Sequence, residues 1–299
     1  MARGRIPDFF IIGAPKCGTT ALYSYLREHA AIFAPAKELH YFCDDFPNYG
    51  RIKSQDNYLS LFDGVEAESK LAGDASVFYL YSEVAVRNIM AANAAAKVII
   101  MLRDPVEMVQ ALHRQKLVSM DEDMDDFGTA WRLQAARAKG EHVPKRCREA
   151  SHLQYRTVCS FAHQLGRVVR YVPKDQYRII IFEEFAQDPQ AAYDQVLAFL
   201  GLQPDGRTDF PRVNASHRWR WARMIEMLKD GQGTKPYGVA KKVVNSFGLR
   251  PGLAVKRWNR AVAPRPPIDA ELRAELVDAF REDVRSTERL VGRPLPWSG

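Results

Sequence analysis

Apolar positions along the chain fall into two alternating patterns. Residues 9–14, "FFIIGA", form a continuous apolar run of the kind buried on both faces of a sheet. After a short loop, "TTALYSYLREH" places Leu22, Tyr25 and Leu26 at helical spacing. The succession recurs twice. "KVIIMLRDP" ends in Pro105, which fits the first turn of a helix but not its interior, and "VEMVQALHRQKL" continues as a helix. "YRIIIFEEF" follows "FAHQLGRVVRYVPKD" and precedes "DPQAAYDQVLAFLGL", a helix with Asp188 as N-cap, Pro189 at its first position and Gly201 at its end. Strands alternating with helices predict an α/β fold in three layers, a central parallel sheet flanked by helices on both faces, with ligands beyond the carboxyl ends of the strands.

Beyond Asn214 the pattern loosens. Short helical stretches are interrupted by "GQGTKPYG" and "LRPG", "APRPP" reads as a stiff linker, and residues 268–292 form a closing amphipathic helix. Residues 1–299 are therefore expected to be one domain carrying a basic, lid-like segment at about 212–265. The acidic run from Asp121 to Asp126 reads as the first turn of a helix, where the helix dipole favours negative charge.

"GAPKCGTT" gives the first chemical signal. Gly13 and Gly18 keep the spacing of the phosphate loop G-x-x-x-x-G-K-[ST], but the lysine has moved inside the loop to Lys16, and Thr19 follows Gly18. A loop between a buried strand and a helix gathers backbone N–H groups and the positive end of a helix dipole, which suits an anion. Lys16 adds a full charge, and Thr19 and Thr20 add hydroxyl donors. A triphosphate-dependent kinase, the first alternative, calls for lysine after Gly18 and an acidic magnesium ligand at a strand end; here Thr19 and Arg103 stand in those places.

The formal net charge of +7 favours anionic partners. It is concentrated: thirteen Lys and Arg lie between Arg212 and Arg265 against Glu226 and Asp230 alone. Cys17, Cys43, Cys147 and Cys159 lie far apart with no C-x-x-C pair, so neither a zinc site nor a disulfide framework is expected. His29 and His40 also lack ligand spacing, and no metal is expected. The N-terminus shows no long apolar leader, and "NIMAANAAAKVIIML" is broken by Asn88, Asn93 and Lys97, short of the roughly 20 apolar residues that cross a bilayer. A cytoplasmic location without a nucleic-acid partner is the expectation.

Three separated blocks, in one order, resemble the sulfotransferases that use 3′-phosphoadenosine 5′-phosphosulfate (PAPS). "PDFFIIGAPKCGTTALYSYL" resembles their 5′-phosphosulfate loop, "APAKELHYF" the K-E-x-H-F-F block of the carbohydrate-acting and bacterial branches, and "GDASVFYLY" with "AKVIIMLRDPVEM" the 3′-phosphate block. Similarity continues through "YRIIIFEEFAQDPQAAYDQVLAFLGL" and "FREDVRSTERLVGRPLPW", most of the chain. The resemblance implies a P-loop-type fold and transfer of a sulfuryl group to a hydroxyl or amine, leaving 3′,5′-adenosine bisphosphate (PAP).

The same resemblance implies that Lys16, Cys17, Gly18, Thr19 and Thr20 hold the 5′-phosphosulfate, with Lys16 near the bridging oxygen, and that Arg103 binds the 3′-phosphate. Charge on the leaving oxygen has to be stabilised, and a lysine there stands in for magnesium. Glu38 aligns with the general base. His40 shares that proton or holds the acceptor, and Lys37 pairs with Glu38 or with the sulfate. The family places a serine eight residues after the arginine, where this chain has Ala111; Gln110, His113 and Arg114 are candidates to replace the hydroxyl. "VNASHRWRW" falls where the family closes a loop over the nucleotide, so Arg218 and Arg220, with His217, are expected at phosphate or sulfate. Asp74 orients a basic residue or the acceptor, or caps a turn. Tyr155 and Arg156 border the adenine or pack in the core. The acceptor class stays open among small molecules, carbohydrates and lipids. The segment bearing Trp219, Trp221, Lys241, Lys242, Arg257 and Trp258 is a lid packed on the core, a cover for a glycolipid, or a surface resting on an anionic membrane. A non-catalytic polyanion binder is the second alternative; a binder of anions gains nothing from the Glu38 carboxylate.

Overall fold

The computed structural model describes residues 5–50, 52–63, 70–211 and 268–297, with the strands of a second unit at 217–219 and 260–262. The chain divides into two compact units, Met1–Val213 with Ile268–Gly299, and Asn214–Pro267.

In the first unit a parallel sheet runs in the order β2-β3-β1-β4-β5, comprising β1 (Phe9–Gly13), β2 (Ile32–Phe33), β3 (Leu71–Ala75), β4 (Lys97–Leu102) and β5 (Tyr177–Ile181). Helices alternate with the strands: α1 (Thr19–Glu28), α2 (Gln55–Leu59), α3 (Ala85–Ala92), α4 (Pro105–Ser119), α5 (Phe127–Arg132), α6 (Gln134–Ala138), α7 (Tyr155–Cys159), α8 (Ala162–Tyr171), α9 (Phe182–Gln187) and α10 (Pro189–Leu200). In the second unit β6 (His217–Trp219) pairs antiparallel with β7 (Arg260–Val262); α11 (Ala270–Val291) returns to the first. Chain order reverses about β1, which lies between β3 and β4, so the carboxyl end of β1 is the switch point where such sheets bind ligands.

The apolar pattern explains the centre. Phe9, Phe10, Ile11 and Ile12 are all buried, as are Val98 to Leu102 of β4, and each fully buried large side chain contributes about 1.5–3 kcal/mol. Helix ends follow the sequence signals. Asp188 accepts from the Ala191 N–H at 2.9 Å ahead of Pro189, and α10 stops at Gly201 with φ 82°. Asp104 accepts from the Val106 N–H at 2.9 Å with Pro105 at the first position of α4.

The acidic run does not form one helix first turn. Asp126 caps α5, accepting from the Thr129 N–H at 2.8 Å. Asp121 instead lies 3.7 Å from Lys116 Nζ and takes Arg148 at 2.8 and 2.7 Å; Glu122 takes Arg137 at 2.5 and 2.7 Å and the Tyr155 hydroxyl at 2.7 Å. Buried Lys116 and Arg137 need counter-charges, and a dipole contact worth about 0.3–1 kcal/mol does not compete with that need. Tyr155 is thereby fixed in the core.

β3 holds a charge in its interior. Asp74 is fully buried and accepts from the hydroxyls of Tyr58 at 2.9 Å, Tyr79 at 2.8 Å and Ser76 at 3.0 Å. Burial raises its carboxyl above the ordinary range, against the lowering effect of those hydroxyls. Asp74 therefore orients hydroxyls, not a basic residue. Asp74→Ala strands buried hydroxyls and is expected to lower unfolding free energy by about 2–5 kcal/mol. Asp74→Asn keeps an acceptor for the tyrosines and should stay within about 1–2 kcal/mol of the parent. Urea midpoints of the two variants measure the difference.

Candidate active site

The glycine loop leaves β1 through Gly13, where a Cβ would meet the Val77 carbonyl oxygen at 2.6 Å and Leu80 Cβ at 2.9 Å. It enters α1 through Gly18, at φ 84°, where a Cβ would sit 2.9 Å from the Phe182 ring. Only glycine fits at both. The Ala14 N–H ties the loop to Met101 of β4 at 2.6 Å. α1 has no side-chain cap and no acidic residue in its first turn, and the N–H groups of Gly18, Thr19 and Thr20 donate to none of the described residues. Donors left open at a helix N-terminus suit an anion. Cys17 turns inward, its Sγ donating to the Pro15 carbonyl at 3.4 Å and lying 3.7 Å from Met108 Sδ, and burial pushes its thiol pKa up. It can therefore serve the loop only through its backbone.

Arg103 follows β4 and faces the same loop. Its Nη1 donates to the Lys16 carbonyl at 3.3 Å, its guanidinium lies 4.6 Å from the centre of the Phe182 ring, and Nη2 is 3.9 Å from Glu107 Oε2. Nε is buried without a hydrogen-bond partner among the described residues. A guanidinium held in place with a donor to spare fits a phosphate. Ala111 is buried on α4; of the residues considered as replacements for a serine, His113 is committed elsewhere, with Nε2 2.8 Å from the Met124 carbonyl and its pKa lowered by burial. Arg218 lies on β6 of the second unit, and Arg220 lies outside the described residues.

Residues 37–41 line the β3 edge. Lys37 bridges to Ala75, and the Glu38 N–H donates to the Ala75 carbonyl at 2.7 Å. The His40 N–H donates to Ser76 Oγ at 3.0 Å and the Tyr41 N–H to the Tyr79 hydroxyl at 3.1 Å. Glu38 Oε2 takes the Val77 N–H at 3.3 Å and lies 2.9 Å from His40 Nε2, a close approach not aligned as a hydrogen bond. Oε1 is bound by Lys37 Nζ, which also donates to Thr19 Oγ1 at 3.3 Å. Burial raises the Glu38 pKa, but His40 and the Lys37 ammonium outweigh it and hold the carboxyl at about 2. Lys16, Glu38 and His40 adopt φ of 66°, 63° and 51°. Left-handed backbone at non-glycine residues costs about 1–3 kcal/mol each and tends to gather at functional sites.

The structure thus brings Glu38, His40 and Lys37 together with the loop, and sets Arg103 against the loop's other side. Sequence reasoning missed three contributors. Phe182, under Arg103 and Gly18, was legible as the first residue after a strand at the carboxyl edge. Ser76 reads as an ordinary turn residue. Tyr49, whose ring lies 4.9 Å from the His40 ring, 4.7 Å from the Arg148 guanidinium and 5.2 Å from Lys116 Nζ, has no local signal. Behind His40 opens a cleft of about 570 Å³ lined also by Asp44, Lys53 and Asn88; none of its lining residues belongs to the donor loop.

An anion-binding loop at the switch point, facing a carboxylate, suits a group-transfer enzyme that uses an anionic donor. A family profile described as "Sulfotransferase domain" matches residues 6–214. Human bifunctional heparan sulfate N-deacetylase/N-sulfotransferase 3 is 26% identical over 304 residues, covering 98% of this chain and 31% of that protein. Mouse heparan sulfate glucosamine 3-O-sulfotransferase 3A1 is 24% identical, covering 99% of this chain and 65% of that protein. A sulfotransferase structure from Alicyclobacillus acidocaldarius has a TM-score of 0.71 at 26% identity, covering 99% of this chain and 98% of that one. The chain spans about a third of the length of the bifunctional relatives. It belongs to the sulfotransferase family.

The Glu38 environment has a pH signature. Because the folded carboxyl titrates below its ordinary 4.5, the ionised form stabilises the fold above that value, and the contribution is lost as pH falls toward about 2. Its side chain is 39% exposed, so solvent screening keeps the effect small. Glu38→Gln is expected to be less stable than the parent at pH 7, with the gap narrowing at pH 4 and 3 in urea titrations.

Proposed function

We propose that this sulfotransferase passes the sulfuryl group of PAPS in line to a hydroxyl or amine of a carbohydrate or related small-molecule acceptor, with Glu38 as base. One observation carries the reading: Lys37 Nζ joins Glu38 Oε1 to Thr19 Oγ1, so the base stands one side chain away from the donor loop. In this reading the open N–H groups of α1 and the hydroxyls of Thr19 and Thr20 hold the 5′-phosphosulfate, while Lys16 stabilises charge on the leaving bridging oxygen. Arg103 takes the 3′-phosphate on its spare donor. Glu38 accepts the acceptor's proton as the nucleophile meets sulfur, and His40, buried beside it, steadies the carboxylate.

Relatives named for heparan sulfate support a sugar acceptor. For the basic segment at about 212–265, with Arg218 and Arg220, we propose a role toward the anionic nucleotide; a membrane-resting role is the alternative for the same residues. A reducing, cytoplasmic setting accords with four free cysteines.

Calorimetry tests the donor. PAP should bind without magnesium and ATP should not; magnesium-dependent binding of ATP alone would sink the proposal. Glu38→Gln is expected to keep PAP affinity and lose transfer by about 10²–10⁴-fold, whereas Lys16→Ala should damage both. Labelled PAPS offered with sugar, phenol and lipid acceptors identifies the acceptor class.

A further inference from the structure

Lys37 has two partners with opposite demands. Its ammonium is bound to Glu38 Oε1 and donates to Thr19 Oγ1 at 3.3 Å, and its side chain is only 14% exposed. Thr19 is the first residue of α1, the helix whose N-terminal N–H groups stand open. Lys37 Nζ thus already reaches both Glu38 and the first residue of that helix. The rest of the Glu38 carboxylate is held independently, Oε2 by the Val77 N–H with the His40 ring beside it. Oε1 can therefore lose Lys37 without the carboxylate losing its place. A carboxylate oxygen occupied by an ammonium is a poor proton acceptor, and an oxygen released from it is a better one.

Resting on the PAPS reading above, we propose that Lys37 is a catalytic residue that exchanges partners, leaving Glu38 Oε1 for the sulfuryl oxygens when donor fills the α1 site. Glu38 is then released as a base only in the donor-loaded enzyme. In the transfer the acceptor oxygen or nitrogen forms a bond to sulfur, and the bond from sulfur to the bridging phosphate oxygen breaks. That oxygen keeps the electron pair, and the acceptor proton passes to Glu38 Oε1. Lys37 neutralises the sulfuryl oxygens during the exchange, and Lys16 remains assigned to the leaving oxygen.

PAP and PAPS differ by the sulfuryl group alone, so comparing their dissociation constants tests the contact directly. Lys37→Met is expected to weaken PAPS binding about tenfold, the worth of one charge-assisted hydrogen bond, and to leave PAP binding unchanged. Lys37→Arg should recover part of the PAPS affinity. Equal weakening of both ligands, or no change in either, would show that Lys37 only shapes the loop and would overturn the exchange. Lys37→Gln provides a second neutral variant if methionine impairs folding, and circular dichroism checks each. If the parent itself binds neither PAP nor PAPS, the donor assignment fails, an outcome distinct from failure of the Lys37 contact alone.

Discussion

The buried carboxylate of Asp74 is the constraint from which the site is built. A charge inside a sheet is tolerated only when its lone pairs are filled, and here Tyr58, Ser76 and Tyr79 fill them. Each hydroxyl that donates to Asp74 has its oxygen free to accept. Ser76 accepts from the His40 N–H and Tyr79 from the Tyr41 N–H. The carboxylate thereby fixes hydroxyl orientation, and the hydroxyls fix the backbone of the loop that carries Glu38. Left-handed conformations at Glu38 and His40 are sustained because these bonds over-determine the loop.

Electrostatics divides the site into a cationic side and the Glu38 carboxylate. Lys16, Lys37, Arg103 and the α1 N-terminus all favour negative charge. Glu38 stands at their edge, held in place by a backbone donor. The neighbouring cations Lys116 and Arg148 are instead matched to Asp121 and to the Tyr49 ring. Burial lowers the Lys116 pKa, and even with Asp121 opposing the shift it stands at about 8. Its charge is thus tied to that wall rather than to the donor.

What the sequence made legible were features with local causes. The glycine loop, the strand end at Arg103, Asp188 with Pro189 and Gly201, and the closing helix each carry their signal within a few residues. β3 was not legible as a strand, because "LAGDA" interrupts its apolar pattern with Gly73 and with Asp74, whose partners Tyr58 and Tyr79 lie elsewhere in the chain. The acidic run misled for the same reason. Arg137 and Arg148 are the true partners of Glu122 and Asp121, and only the fold brings them there. Glu38 was placed by its resemblance to a family block, but its link to Thr19 through Lys37 spans 18 residues and needed the sheet to appear.

The glycine loop and Glu38 are not independent parts placed side by side. The peptide groups of Val77 serve both: its carbonyl oxygen approaches Gly13 so closely that a Cβ there would stand 2.6 Å away, and its N–H holds Glu38 Oε2 at 3.3 Å. The turn that follows β3 is itself pinned to β1, with the Ser76 N–H on the Ile11 carbonyl at 3.0 Å and the Leu80 N–H on the Ile12 carbonyl at 2.7 Å. A side chain at position 13 would therefore push on the residue that positions Glu38. In-line transfer needs the nucleophile, the sulfur and the leaving oxygen aligned to within about an ångström, with a base in reach of the nucleophile's proton. Mounting both contacts on one short turn couples the loop and Glu38 through the backbone, and glycine at position 13 is demanded by the residue that holds Glu38 as much as by the loop.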